Sequence, residues 1–202
     1  MNRARMAAAA LAMVLIAQPA GAQGGGFDGQ KFVQAVRDRD GNEAMELLRA
    51  RGTTVLNARD ERGDTGLIVA ISRRDENWAM FLLAEGADPN FPAKSGDTPL
   101  IAAARVGYTG AAEQLLELDV KVDAANRMGE TALIVAVQQR HAPIVRLLLA
   151  AGADPDRTDS AAGLSARDYA RRDTRARDIL KLIESAKSKQ KADPGPKASS
   201  IR

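Results

Sequence analysis

Gly63-Asp64-Thr65-Gly66-Leu67-Ile68-Val69-Ala70 is answered 33 residues later by Gly96-Asp97-Thr98-Pro99-Leu100-Ile101-Ala102-Ala103. After 33 more comes Gly129-Glu130-Thr131-Ala132-Leu133-Ile134-Val135-Ala136. A fainter copy at Gly163, Ser165 and Ala170 follows after a step of 34. Outside these stretches, Asn57, Asn90, Asp123 and Asp156 keep the 33-residue step as well. Independent columns that share one period identify a stacked array of like units, each too small to bury its own apolar face.

The content of a unit says what is stacked. Threonine followed by an apolar run reads as a helix N-cap, and Pro99 fits the first helical position because its missing N–H has no partner there anyway. Alanines inside this first helix allow a neighbouring unit to approach closely. After a short break a second helix is predicted over Trp78 to Ala84, Ala111 to Glu117 and Ile144 to Ala150. Leu82-Leu83, Leu115-Leu116 and Leu147-Leu148-Leu149 supply its buried stripe. Gly86 and Gly152 end those helices, where a left-handed residue costs glycine least.

Gly96-Asp97-Thr98-Pro99-Leu100, Ala84-Glu85-Gly86-Ala87-Asp88-Pro89-Asn90 and Leu147 to Asp156 together resemble the ankyrin repeat. The resemblance spans residues 28–187 and implies an all-α solenoid of helix–turn–helix units joined by β-hairpin-like loops, about five repeats with caps. Full repeats are placed at 60–92, 93–125 and 126–158, and caps at 28–59 and 159–187. The first cap is read as helices Gln30–Arg37 and Asn42–Ala50, with a slightly long loop at Arg51 to Val55. The last cap is read as Ser165 to Ala170 and Ala176 to Ile183. Ile68, Ile101 and Ile134 stand where the family carries histidine. Asp119 stands where it carries the helix-ending glycine, so Asp119 is expected to bear a left-handed conformation at some cost, leaving the repeat at 93–125 the loosest.

The two ends read differently. Arg3 and Arg5, the twelve apolar residues Met6 to Ala17, and Ala20-Gly21-Ala22 form the three parts of a secretory signal peptide over residues 1–22, cleaved before Gln23. A membrane span needs roughly 18 apolar residues, more than this run offers. With no cysteine to carry a lipid and no paired arginines, the expectation is a soluble exported protein, periplasmic or secreted. Residues 23–27, with Gly24-Gly25-Gly26, read as a flexible leader, and residues 188–202 as a disordered basic tail.

Composition narrows function. The 202 residues include 29 basic and 26 acidic side chains, one histidine and no cysteine. That excludes disulfides, thiolate nucleophiles and cysteine-held metals, and leaves one imidazole. Residues 167–202 carry a net +6 and residues 23–166 a net −5. A body without a basic stripe argues against nucleic acid as a partner. His141 stands at the start of a second helix with no nucleophile placed beside it, and reads as a loop brace. Trp78 reads as packing between repeats. No catalytic residue, metal site or cofactor is expected.

The resemblance implies protein binding by a monomer, through the concave surface of hairpin tips and first helices. The positions matching the family's variable contacts are Arg59, Glu61, Arg62 and Asp64, then Lys94, Ser95 and Asp97, then Arg127, Met128 and Glu130. The first helices add Ser72, Arg73, Arg105, Val106, Gln138 and Gln139. Mixed charge at these positions points to charge-patterned specificity. Two other readings stand beside this one. One is an accessory subunit that regulates or protects an exported enzyme; the other is an envelope protein held by its basic tail.

Overall fold

The computed structural model describes residues 24–192, with side chains for residues 27–186. The signal peptide expected over residues 1–22 lies outside the described residues, as does the basic tail from 193. Among the described residues, ten α-helices form five antiparallel pairs: α1 (Gly24–Asp38) with α2 (Gly41–Arg51), α3 (Gly66–Ser72) with α4 (Glu76–Ala84), α5 (Pro99–Val106) with α6 (Thr109–Leu116), α7 (Ala132–Gln138) with α8 (Ala142–Ala150), and α9 (Ala166–Arg172) with α10 (Arg177–Ala192). A 3₁₀ turn, η1 (Gly52–Val55), fills the longer loop of the first unit. The fold is the expected all-α repeat solenoid. First helices α1, α3, α5, α7 and α9 pack in one row, and the second helices lie behind them.

The periodic columns become repeated local structures. Thr65, Thr98 and Thr131 are N-caps whose Oγ1 accepts from Ile68 N (3.3 Å), Ile101 N (3.2 Å) and Ile134 N (3.3 Å). Ser165 completes a reciprocal capping box with Asp168. Each cap satisfies a helix donor that would otherwise be buried unpaired, a contribution of about 1 kcal/mol. Nearly every side chain of α3, α5 and α7 is buried, because these helices have neighbours on three sides. Ala103, Ala104 and Ala136 are fully buried there, which lets the row close up. Phe32, Leu67, Leu82, Leu115, Ile144, Leu148 and Ile183 run the core from cap to cap.

Several expectations are corrected. The span 23–27, read as a flexible leader, is entered by α1 at Gly24. α10 continues to Ala192, past residue 187 where the last cap was expected to end and into the span 188–202 read as disordered. Asp119 is not left-handed: among the described residues the non-glycine residues of positive φ are Arg39 (61°), Arg74 (54°) and Arg140 (58°). After α6 the chain turns through Leu118 N–H to Leu115 O (3.0 Å) and Val120 N–H to Leu118 O (2.8 Å) instead. The small residues Ala111 and Ala112 are buried at 2% and 0% exposure, so they bring α6 in close to its neighbours.

The left-handed arginines occupy one recurrent position, the loop between the two helices of a unit. Each reaches into the following unit. Arg39 pairs with Asp75 (2.6 Å), the N-cap of α4. Arg74 donates to the carbonyl of Val106 at the end of α5. Arg140 meets Asp173 at 2.5 Å, just past α9. The equivalent residue in the third unit is Gly107, φ 68°, and a Cβ there would fall 2.6 Å from Cε1 of His141. His141 therefore packs its ring on the Gly107 backbone as the N-cap residue of α8, a loop brace.

Candidate partner-binding face

Each connection between units folds into the same tight tip. Asp60, Ala93 and Asn126 each donate their N–H to the carbonyl four residues on, at Asp64 (2.9 Å), Asp97 (2.9 Å) and Glu130 (3.0 Å). Their own carbonyls accept from Gly63, Gly96 and Gly129, whose φ values are 86°, 88° and 77°. Only glycine enters this region cheaply, which explains the glycine column. The tips are also chained to one another. Lys94 N–H donates to Gly63 O (2.7 Å), Arg127 N–H to Ser95 O (3.1 Å) and Ser160 N–H to Met128 O (2.8 Å). The result is a continuous edge with the first helices behind it.

Charges beneath the edge are already engaged. Arg37 of α1 forms an ion pair with Asp60 and lies 3.7 Å from Asp64. Asp97 accepts from Arg105 (2.9 Å) and from Asn126 Nδ2 (2.8 Å), and Asn126 also donates to Glu130 (2.9 Å). In the last tip, Asp159 is 4% exposed and accepts from Tyr169 Oη (2.5 Å), Ala162 N (2.7 Å) and Gly163 N (3.0 Å). Burial pushes its carboxyl up, but these hydrogen bonds, with one involving Leu164, hold it below the usual carboxylate range. Tyr169 is raised, first by that hydrogen bond and then by burial.

The sequence-predicted residues sort accordingly. Glu61, Arg62, Lys94, Ser95, Arg127 and Met128 are exposed on the tips, and Ser72, Arg105 and Gln139 at the ends of the first helices. Glu130 is corrected: at 6% exposure it is a buried acceptor that fixes the third tip, closed off by Asn126 and the nearby Arg105. Arg59 stacks on Phe91 (4.5 Å) and donates to Pro92 O (2.6 Å), tying two units together. Arg73 donates to the carbonyl of Arg37, and Val106 is half-buried with its carbonyl taken by Arg74. Asp64 and Asp97 are half-buried partners of Arg37 and Arg105. Gln138 is half-buried and hydrogen-bonded to Tyr169.

Two contributors escaped the sequence reading. Arg37 lies in the first cap, outside the period, so no column marked it. Asn126 belongs to the column Asp60, Ala93, Asn126 and Asp159, three members of which carry a side-chain acceptor for the tip. On the second-helix side, Gly41, Met45, Asn77, Trp78 and Phe81 line an apolar pocket, with Trp78 and Phe81 edge to face at 5.5 Å. Among the described residues no cluster of His, Asp and Glu is arranged to hold a metal ion, and no helix is long and apolar enough to cross a membrane.

A family model described as "Ankyrin repeats (3 copies)" matches residues 32–126 and 68–159. The chain is similar to ANK repeat-containing protein nipk-1 of Caenorhabditis elegans, 31% identical over 190 residues, covering 76% of this chain and 31% of that protein. It is also similar to an ankyrin repeat-containing protein of Treponema pallidum, 32% identical over 143 residues, covering 70% of this chain and 47% of the other. Ankyrin repeat domain-containing protein 63 of Mus musculus is 33% identical over 108 residues, covering 52% of this chain and 27% of its own length. The chain thus spans between about a quarter and a half of the length of these relatives.

Proposed function

Because the chain belongs to the ankyrin-repeat family, we propose that it is a non-catalytic scaffold that binds a partner protein through its hairpin tips and first-helix ends. The observation that carries this reading is the chained edge of tips. Three inter-tip backbone hydrogen bonds, made by the N–H groups of Lys94, Arg127 and Ser160, fix each tip's backbone against the preceding tip before any partner arrives. Little of the surface then has to be ordered on binding, so contacts convert more fully into affinity. The scaffold is proposed to act after export, in the periplasm. Support for that comes from the sequence alone, in the charged start, apolar run and small residues of 1–22.

A photo-crosslinking residue introduced at Ser72 or Gln139, exposed at the ends of first helices, should yield covalent adducts with a discrete protein in the exported fraction. The same residue at Glu113 of α6 or Arg146 of α8, both exposed on second helices, should yield none. Adducts from Glu113 and Arg146 alone would move the binding face to the other side. The mass of the processed protein should place its N-terminus at or within a residue or two of Gln23; an intact Met1 would remove the export proposal.

A further inference from the structure

We propose that the groove between α2 and α4, on the second-helix side, seats a cationic amphipathic helix of a partner. Gly41 and Met45 of α2 and Asn77, Trp78 and Phe81 of α4 enclose a pocket of about 240 Å³. Along the second row, α6 packs on α8 and α8 on α10, whereas between α2 and α4 this groove is left open. Gly41 has no side chain to close it, and a Cβ added there would meet nothing within 4 Å. Trp78 and Phe81 pack in part on the core and also face the groove, their rings edge to face at 5.5 Å. The exposed face of α4 is uncharged over two turns, with Asn77, Met80 (44% exposed) and Ala84. Every other second helix carries a charge on its exposed face, Glu46 on α2, Glu113 on α6, Arg146 on α8 and Lys181 on α10.

Charge names the occupant. Glu43, Glu46, Glu76, Glu85, Glu113 and Glu117, on α2, α4, α6 or at their C-caps, are exposed, and among the described residues none makes an ion pair. The cations of these three helices are Arg49 and Arg51, and Arg51 is held by Asp28 at 2.6 Å. At the mouth of the groove Arg39 is taken by Asp75, and Arg74 by the carbonyl of Val106. An apolar floor bordered by unpaired carboxylates fits apolar side chains with Lys or Arg beside them. A second copy would set these carboxylates against their own kind, and an anionic bilayer would be repelled. Hydrogen bonding sets the form of the segment. Asn77 is the one polar side chain lining the groove, so an extended strand would bury unpaired N–H and C=O groups there, whereas a helix satisfies its own. Apolar residues at i, i+3, i+4 and i+7 would lie along Met45, Trp78 and Phe81. Glu113 and Glu117, one helix further on at about 8–10 Å, act through their field and stay uncovered. The controls at Glu113 and Arg146 for the tip face therefore stand.

The test uses the full chain and acetylated, amidated peptides of about 18 residues, long enough to form a helix on the groove. One is built of Ala and Lys with Leu at i, i+3, i+4 and i+7. An isomer scatters the same residues around the helix, and a third peptide has Glu in place of Lys. None contains tryptophan, so the emission of Trp78, the single tryptophan of the chain, reports on the groove itself. In about 50 mM salt the striped Lys peptide should shift that emission to the blue and bind about tenfold more tightly than its isomer, and the Glu peptide should leave it unchanged. Glu46→Gln/Glu76→Gln/Glu85→Gln should weaken binding about tenfold, and Gly41→Leu, which fills the mouth of the groove, about fivefold, both with an unchanged circular dichroism spectrum. Glu184→Gln, exposed on α10, should change nothing. Equal binding of the striped peptide and its isomer, binding of the Glu peptide, or an unaffected triple or Gly41→Leu variant overturns the inference. So does a dimer in sedimentation equilibrium that Gly41→Leu dissolves, which would give the groove to a second copy. Crosslinking from Ser72 and Gln139 is independent of all these outcomes, so the tip face stands or falls separately.

Discussion

Gly96 and Gly152 share a φ of 88°, and differ in what stands beside them. A Cβ added at Gly152 meets nothing within 4 Å, whereas one at Gly96 falls 2.7 Å from Arg127 N and 3.1 Å from Asn126 Cα. Alanine at either site incurs the same backbone penalty, about 1–2 kcal/mol for holding an L-residue in left-handed space. At Gly96 the neighbouring tip must also move, because the obstruction is backbone and cannot swing away. That movement breaks the bond from Arg127 N–H to Ser95 O, 3.1 Å long and worth about 1 kcal/mol. Gly96→Ala should therefore lose about 2–3 kcal/mol and Gly152→Ala about 1–2. Urea unfolding of the full chain, followed by far-ultraviolet circular dichroism and by fluorescence of the single tryptophan, Trp78, reads both. Equal losses would mean that the tips are not stacked against one another at Gly96, and the chained edge would fall with them.

Acid should loosen the last unit. Asp159, Asp168 and Asp173 all titrate below their ordinary value of 3.8 in the folded chain. A depressed carboxylate contributes stability that is present above the unfolded value and is lost as pH falls through the folded one. Urea midpoints should hold near neutrality and drop below about pH 4, with a shallower drop in Asp159→Asn; a flat profile down to pH 2 would contradict the hydrogen bonding around Asp159. Arg140, at φ 58° and paired with Asp173, separates strain from charge. Arg140→Ala keeps the strain and loses the pair, whereas Arg140→Gly loses both, so the glycine variant should be more stable by about 1 kcal/mol in thermal or urea unfolding. The reverse order would show that Arg140 is not left-handed.

The fold was legible where a residue's role depends on its own turn or on the next unit. Threonine at 65, 98 and 131 caps a helix three times because the same local geometry is built three times. The ends of the array were less legible. Arg37, η1 and the start of α1 at Gly24 belong to a cap that does not obey the period, and glycine is a poor advertisement for a helix. Asp119 shows a different limit. Its column held glycine in two units, yet the Leu118 turn removes the need for a left-handed residue altogether. Of the candidate face, the column of tip positions was visible, but not which members would be spent internally. Asp64, Asp97 and Glu130 occupy one column, and only the third is buried. Its fate is decided by Asn126 in the same tip and Arg105 in the preceding unit, side chains the column does not contain.

The row of first helices, in which α1 touches α3, α3 touches α5, and so on to α9, has a consequence for how this surface can change. Energetic coupling between substitutions fades once the altered residues share no partner. A new side chain at Arg62 is thus insulated from Arg127, two units away, even though one ligand could span both. On the proposed binding face, each tip is then a separately adjustable digit of one string. A substitution there can be made one position at a time, without re-solving the packing of the whole chain.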